Sequence, residues 1–291
     1  MDNAKLNPIF QELAVDYLYH IGIDSSMNLP QLFGDVKYII LTRSFTDADN
    51  IAQILFKIQK NIPADTNISI TPIAKDERYH LHKIGNTLVV SHGVGYPSIL
   101  ILLNELAKLI HHAKISPKII RIGLSGGLGL KPNSRIIANE VVNYQLKAEF
   151  TNVEYGQKTT YTTIIKNSFN DKFTGFVAQY DVTPVKLLSS RDFYDGQARI
   201  NGALELNYTR EKQQAYLHAI EKAGVKAMDM DSGVIAGFCN YLDIPYSLIS
   251  KTLINRFETS SPRTPSDVRE DAFIQLTTIV ANYIIQEEGS I

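Results

Sequence analysis

"PKIIRIGLSGGLGL" (residues 117–130) runs an apolar, β-branched segment straight into a stretch holding Gly123, Gly126, Gly127 and Gly129. The apolar run predicts a buried strand over 117–124, and the glycines predict a turn at its end. A turn this rich in glycine lets backbone approach something closely, often an anion, or simply makes a tight exit from the strand. The spacing fits neither a dinucleotide-binding fingerprint nor a nucleotide-triphosphate loop. Inside the apolar strand sits Arg121, whose buried guanidinium needs either a ligand anion or a structural carboxylate. Right after Gly123 stands Leu124, a side chain that can donate nothing to an anion.

Outward from this strand, strand and helix patterns alternate. Residues 36–42 read as a buried strand, and 79–95 as two strands around a Gly85-Asn86 turn. Strands are also expected at 135–143, 225–230 and 245–254. Helical spacing marks 47–62, with Asp47 or Asp49 as cap, and 97–113, opened by Pro97. It recurs over 209–224, closed by Gly224, from Ser232 onward, and over 264–288 with Pro265 near the start. Residues 144–180 show less regular patterning. The alternation predicts an α/β fold with a buried sheet, whose ligands gather at the carboxyl ends of strands. With no repeat and no linker in sight, residues 1–291 are expected to form one domain.

Lys and Arg total 29 against 30 Asp and Glu, a balance that argues against a broad nucleic-acid surface. The lone Cys239 excludes an internal disulfide and multi-thiolate metal centres. No metal or organic cofactor is expected. The longest apolar run, "YPSILILLNELAKLI", carries Asn104, Glu105 and Lys108, too polar for a membrane span. The N-terminus lacks an apolar stretch of signal-peptide length, so a cytoplasmic location is expected.

"SRDFYDGQARINGA" (190–203) places Gln197 and Arg199 two residues apart, on one side if the segment is extended. A carboxamide beside a guanidinium matches the edge of a heterocycle with adjacent carbonyl and N–H groups, such as uracil, and Phe193 can stack on its face. A solvated polar strand is the plainer alternative. "AMDMDSG" (227–233) sets Asp229 and Asp231 around Met230 at a strand end. These acids suit the vicinal hydroxyls of a sugar, while Asp231 equally suits a helix N-cap.

Taken together, "LPQLFGDVK" (29–37), "ERYHLHKIG" (77–85), "SHGVGYPS" (91–98), "RIGLSGGLGL" (121–130), "FYDGQARINGAL" (193–204), "MDMDSG" (228–233) and "KTLINRF" (251–257) resemble the uridine phosphorylases of the eukaryotic dimeric type, in the nucleoside phosphorylase/hydrolase family. The resemblance implies an α/β/α domain whose mixed sheet forms a distorted barrel, and homodimers with active sites at the interface. It implies phosphorolysis of uridine to uracil and ribose 1-phosphate, with phosphate as co-substrate. Gln197, Arg199 and Phe193 would hold the base, with Arg256 near a base carbonyl. Met230 and Asp231 would place the ribose. Arg121 would bind phosphate, and Arg78 would reach the phosphate of the neighbouring subunit.

The departures from the family pattern cluster on phosphate and ribose. Leu124 replaces a threonine, and Arg43 and Asp47 fall where a glycine and an arginine meet phosphate. Asp229 and Asp231 replace glutamates, and Met27 replaces a histidine that reaches the sugar. The expectation is a pyrimidine-binding protein of this family with weakened phosphorolysis, Arg43 serving as substitute anion ligand. The alternatives are a catalytically inactive paralogue that binds a pyrimidine or a partner subunit, and a nucleoside hydrolase.

Overall fold

The computed structural model describes residues 1–75, 78–205, 207–259 and 266–289. In chain order its strands are β1 (Tyr17–Leu18), β2 (Ile23–Asp24), β3 (Tyr38–Thr42), β4 (Ala74–Lys75), β5 (His80–Ile84), β6 (Thr87–Ser91), β7 (Lys118–Gly127), β8 (Arg135–Val142), β9 (Glu149–Glu154), β10 (Gln157–Thr162), β11 (Val182–Ser189), β12 (Val225–Asp229) and β13 (Tyr246–Asn255). The helices are α1 (Leu29–Phe33), α2 (Phe45–Gln59), α3 (Tyr96–Ala113), α4 (Ser168–Val177), α5 (Arg210–Lys222), α6 (Ser232–Tyr241) and α7 (Ser266–Gly289). Among the described residues no helix is long and apolar enough to cross a membrane.

The main sheet has the order β12-β11-β8-β13-β7-β3-β6-β5-β4, and β12 also pairs with β7. That extra pairing closes β12, β11, β8, β13 and β7 into a mixed barrel, and β3, β6, β5 and β4 extend from it as an open wing. The expected α/β fold with a distorted barrel is therefore what the chain adopts. Strand β3 shows how its two faces are covered. Ile39 and Leu41 pack into a core shared with α1, α3 and α6. Tyr38 and Ile40 pack into the opposite core, with α2, α4 and α7. Alternate residues thus meet different helices, as a period of two demands.

The glycine-rich stretch is not a turn. Strand β7 runs on through Gly127, three residues past the expected end. Gly126 and Gly127 pair antiparallel with Met228 and Ala227, and the register of β13 shifts opposite them, between Thr252 and Ile254. A side chain at Gly127 would press on Leu130 and Thr252, so glycine lets the strands come together and close the barrel. Only Gly129, at φ +71°, adopts the left-handed conformation of a turn.

Other boundaries moved for local reasons. Helix α2 starts at Phe45 because Ser44, not Asp47 or Asp49, caps it, accepting from the Asp47 amide. The region 144–180 contains the β9–β10 hairpin and α4, and β11 follows it. The hairpin alternates polar with apolar residues too weakly to announce itself. Pro265 lies outside the described residues.

Candidate active site

Beyond the carboxyl ends of β7 and β12 lies a cavity of about 150 Å³. Arg43, Arg121, Leu124, Phe193, Gln197, Arg199, Asp229, Met230 and Asp231 line it. A larger cavity, about 490 Å³, lies between the N-terminal segment and helices α3 and α6, but mostly apolar side chains line it. The convergent charges are in the smaller one, and that is where chemistry is possible.

On one side of it the residues expected to read a base come together. The Arg199 guanidinium lies 3.9 Å above the centre of the Phe193 ring and its Nη2 donates to Gln197 Oε1 at 3.3 Å. Arg256, fully buried, donates from Nη2 to the Gln197 carbonyl at 2.7 Å, while its Nε and Nη1 have no protein partner among the described residues. Gly126 makes room for it: a Cβ there would sit 3.1 Å from Arg256 Cδ. Burial pushes both guanidiniums down to about 10, and for Arg256 the charge of Arg199 adds to the effect. This side therefore holds two desolvated cations, an arrangement that favours an anion developing between them.

The segment carrying these residues is not extended. Asp195–Gln197 form a 3-10 turn, and Ala198 takes a left-handed conformation at φ +51°. The Asp192 carboxylate imposes it by accepting from the amides of Tyr194 (2.8 Å) and Gly196 (2.9 Å). Gln197 and Arg199 meet through this turn rather than through strand alternation.

The other side is self-satisfied. Arg121 Nη2 bonds Asp231 Oδ2 at 2.5 Å, Nη1 lies 3.2 Å from Asp229 Oδ2, and Nη1 also donates to Ser250 Oγ at 2.7 Å. The guanidinium folds back along its own strand, and only glycine at 123 permits this, because a Cβ there would lie 1.9 Å from Arg121 Cζ. Burial alone would lower the Arg121 pKa, but the two carboxylates raise it. Burial pushes the Asp229 carboxyl above its ordinary range, helped by the charge of Asp231 and opposed by Arg121. Asp231 spends its side chain on Arg121 and makes no cap bond to α6. Asp229 caps that helix instead, accepting from the Ser232 amide at 3.2 Å and from the Ser232 hydroxyl.

Arg43 lines the same side and is held by Asp47, Nε to Oδ2 at 2.8 Å, one helical turn away on α2. The anion side thus sets two arginines against three carboxylates. Leu124 borders it with apolar volume, but the next residue, Ser125, offers a buried hydroxyl with no partner among the described residues. His92, wholly buried after β6, is a further residue that the sequence motifs do not single out. Its Nδ1 bonds the Gly93 carbonyl at 2.8 Å and its Nε2 has no partner among the described residues. Burial lowers its pKa, with the charges of Asp231, Arg121 and Asp47 all reaching it. The neutral ring therefore donates from Nδ1 and keeps Nε2 as an acceptor. Its position directly after a strand end in "SHGVG" is the one sequence signal that points to it.

Arg78 and Met27 do not line this cavity; both are exposed on the surface of the chain.

A family model described as "Phosphorylase superfamily" matches residues 37–283. Uridine phosphorylase 1 of Mus musculus is 32% identical over 289 residues, covering 97% of this chain and 92% of the mouse protein. A protein of Schistosoma mansoni named inactive uridine phosphorylase B is 28% identical, covering 98% of this chain and 97% of its own length. The crystal structure of uridine phosphorylase from Schistosoma mansoni in complex with uracil superposes with a TM-score of 0.89 at 26% identity, covering 98% of this chain and 99% of that one.

Proposed function

The chain belongs to the phosphorylase superfamily, among the uridine phosphorylases, and from that premise we propose that it binds the base of uridine between Phe193, Gln197, Arg199 and Arg256 and catalyses phosphorolysis only slowly. In the reaction a phosphate oxygen attacks C1′ of the ribose and the C1′–N1 bond breaks. Its electron pair leaves with uracil and spreads onto the ring carbonyls. Arg199 and Gln197 stabilise that developing anion, and Arg256 Nη1 reaches a carbonyl directly or through water. Solvent then protonates the uracil. The observation that carries the reading is the buried pair of cations at a carboxamide, arranged for an anionic heterocycle.

The slow rate follows from the Arg121–Asp231 pair, which occupies the phosphate arginine, and from Asp47 against Arg43. The same pair favours a second reading, a non-catalytic paralogue that binds a pyrimidine without turning it over. A hydrolase needs a carboxylate free to activate water, and Asp47 and Asp231 are both engaged. Uracil release from uridine with and without phosphate, alongside calorimetry with uracil, tests these readings. Uracil should bind, and phosphate-dependent release should stay below roughly 1 per second. Binding with no release favours the paralogue, and phosphate-independent release favours hydrolysis. Arg199→Ala should weaken uracil by at least ~1.5 kcal/mol, about tenfold, the scale of a charge-assisted hydrogen bond. Unchanged affinity in that variant overturns the base-site assignment.

The active unit is a homodimer in this reading, with Arg78 and Met27 completing the partner's site. Support comes from the resemblance of "ERYHLH" to the segment that crosses the interface in the family, and from the exposure of both residues on the single chain. A monomer at micromolar concentration in sedimentation velocity counts against it.

A further inference from the structure

Away from the cavity, β5 and α2 bring together three groups that bind metals. His80 and His82 are alternate residues of β5 and face α2, while Leu81 between them points into the opposite core. Asp49 Oδ1, from α2, lies 3.0 Å from His80 Nδ1 and 2.7 Å from His82 Nε2, and the three atoms lie within 4.8 Å of one another. We propose that Asp49, His80 and His82 form a binding site for a borderline divalent cation of the zinc class.

The arrangement is built rather than incidental. Sheet pairing fixes the spacing of the two imidazoles, and β5 is held to β6 through Leu81↔Val90 and His82↔Val89. The His80 amide donates to Ser91 Oγ at 2.8 Å, anchoring the start of the strand. Phe45, one helical turn before Asp49, stacks on the His80 ring at 4.2 Å with an interplanar angle of 3°. His82 is fully buried, so its ring has little freedom. Two imidazole nitrogens and one carboxylate oxygen suit zinc, nickel or cobalt, whereas magnesium and calcium ask for an all-oxygen shell. Tetrahedral bonds of about 2.0–2.1 Å set ligand atoms roughly 3.3 Å apart. Asp49 sits a few tenths of an ångström inside that spacing from each ring, and the two imidazole nitrogens, within 4.8 Å of each other, close on the ion as it enters. Its side chain and that of His80 are 38% and 21% exposed, so water can reach the fourth position.

On binding, each ring nitrogen exchanges its hydrogen bond to Asp49 for a bond to the metal, and the ring proton moves to the other nitrogen. For His82 that is Nδ1, buried without a partner among the described residues. Ligating histidines usually donate this proton to an outer acceptor, and losing one costs 10–100-fold in affinity. The site should therefore bind in the micromolar range rather than the nanomolar. No metal was expected from the sequence, because the two histidines meet an acid 31 residues earlier than His80.

The test is calorimetric titration of the chelator-treated protein with ZnCl₂, and with CoCl₂ followed by visible absorption. One equivalent should bind, with a tetrahedral cobalt spectrum. His80→Gln and Asp49→Asn, both at the exposed rim and free to keep the fold, should each weaken zinc at least tenfold. No binding by the wild-type protein overturns the proposal, and so does wild-type affinity in either folded variant. Uracil affinity plays no part in this outcome, so the site stands or falls apart from the proposed function.

Discussion

The triple variant Leu124→Thr/Asp47→Arg/Arg43→Gly should release uracil from uridine, in a phosphate-dependent reaction, at least 100-fold faster than the wild-type protein. Each change acts on the same ligand. Leu124→Thr removes apolar volume and adds a hydroxyl donor, worth roughly 1.5–3 kcal/mol toward a charged acceptor. Asp47→Arg turns a buried repulsion for phosphate into an attraction. Arg43→Gly takes away the side chain that Asp47 holds across the cavity. It also exposes backbone directly ahead of Ser44, the cap of α2, where helix amides favour an anion. The three should exceed the product of the single effects, because neighbours that share a ligand are not additive. Initial rates of the wild type, each single variant and the triple variant check this. A wild-type rate within the ordinary range of roughly 1–1000 per second overturns the slow-site reading and makes Arg43 a working phosphate ligand. A triple variant that does not bind phosphate means residues 43–47 do not border the anion.

Asp231→Asn should raise the affinity for sulfate, a phosphate surrogate with fixed charge, by about 30–100-fold. The change removes one negative charge near the anion, worth about 2 kcal/mol at roughly 8 Å and an effective dielectric near 20, and more at shorter range. Arg121 keeps Asp229 and Ser250 as partners, so the fold should survive with a lower melting temperature. Acid should act on the wild-type protein in the same direction. The Asp229 carboxyl is held above its ordinary range, so it gains a proton earlier than an exposed aspartate as pH falls, and sulfate should then bind more tightly. The sign is the same for folding. Asp229 costs stability above its raised pKa, and that cost is relieved as pH drops through it. Calorimetric titration with sulfate across neutral to mildly acidic pH measures both effects. Equal affinity in the variant and the wild type at neutral pH rules out Asp231 as the competitor for Arg121.

Periodicity in the sequence carried the sheet and most of the helices, because a buried strand such as 36–42 and an amphipathic helix such as 97–113 are local patterns. What it could not carry was closure. Gly126 and Gly127 look like a turn from within their own segment, and only distant partners, Met228 and Ala227 on one side and Ile254 and Asn255 on the other, make them strand. Likewise Gln197 and Arg199 are legible as a pair by type, but nothing in their stretch marks Asp192 as the carboxylate whose backbone hydrogen bonds set their geometry. From its sequence alone Arg121 admits two partners, an anion or a carboxylate. The carboxylates that claim it stand 108 and 110 residues later. Asp231 is legible as an acid at a strand end, yet its pairing with Arg121 is not, since that depends on where the side chain comes to rest.

The barrel seam has a kinetic side. Gly127 and Ala227 pair across 100 residues of chain, and only two residue pairs join their strands. Bringing ends together over such a loop costs ~4 kcal/mol of chain entropy before any contact forms. Contacts of this sequence separation slow folding, and they mature after local hairpins such as β5–β6. The arginine and its aspartates lie on opposite sides of that seam. The pocket is therefore assembled late in folding, by the same event that completes the barrel.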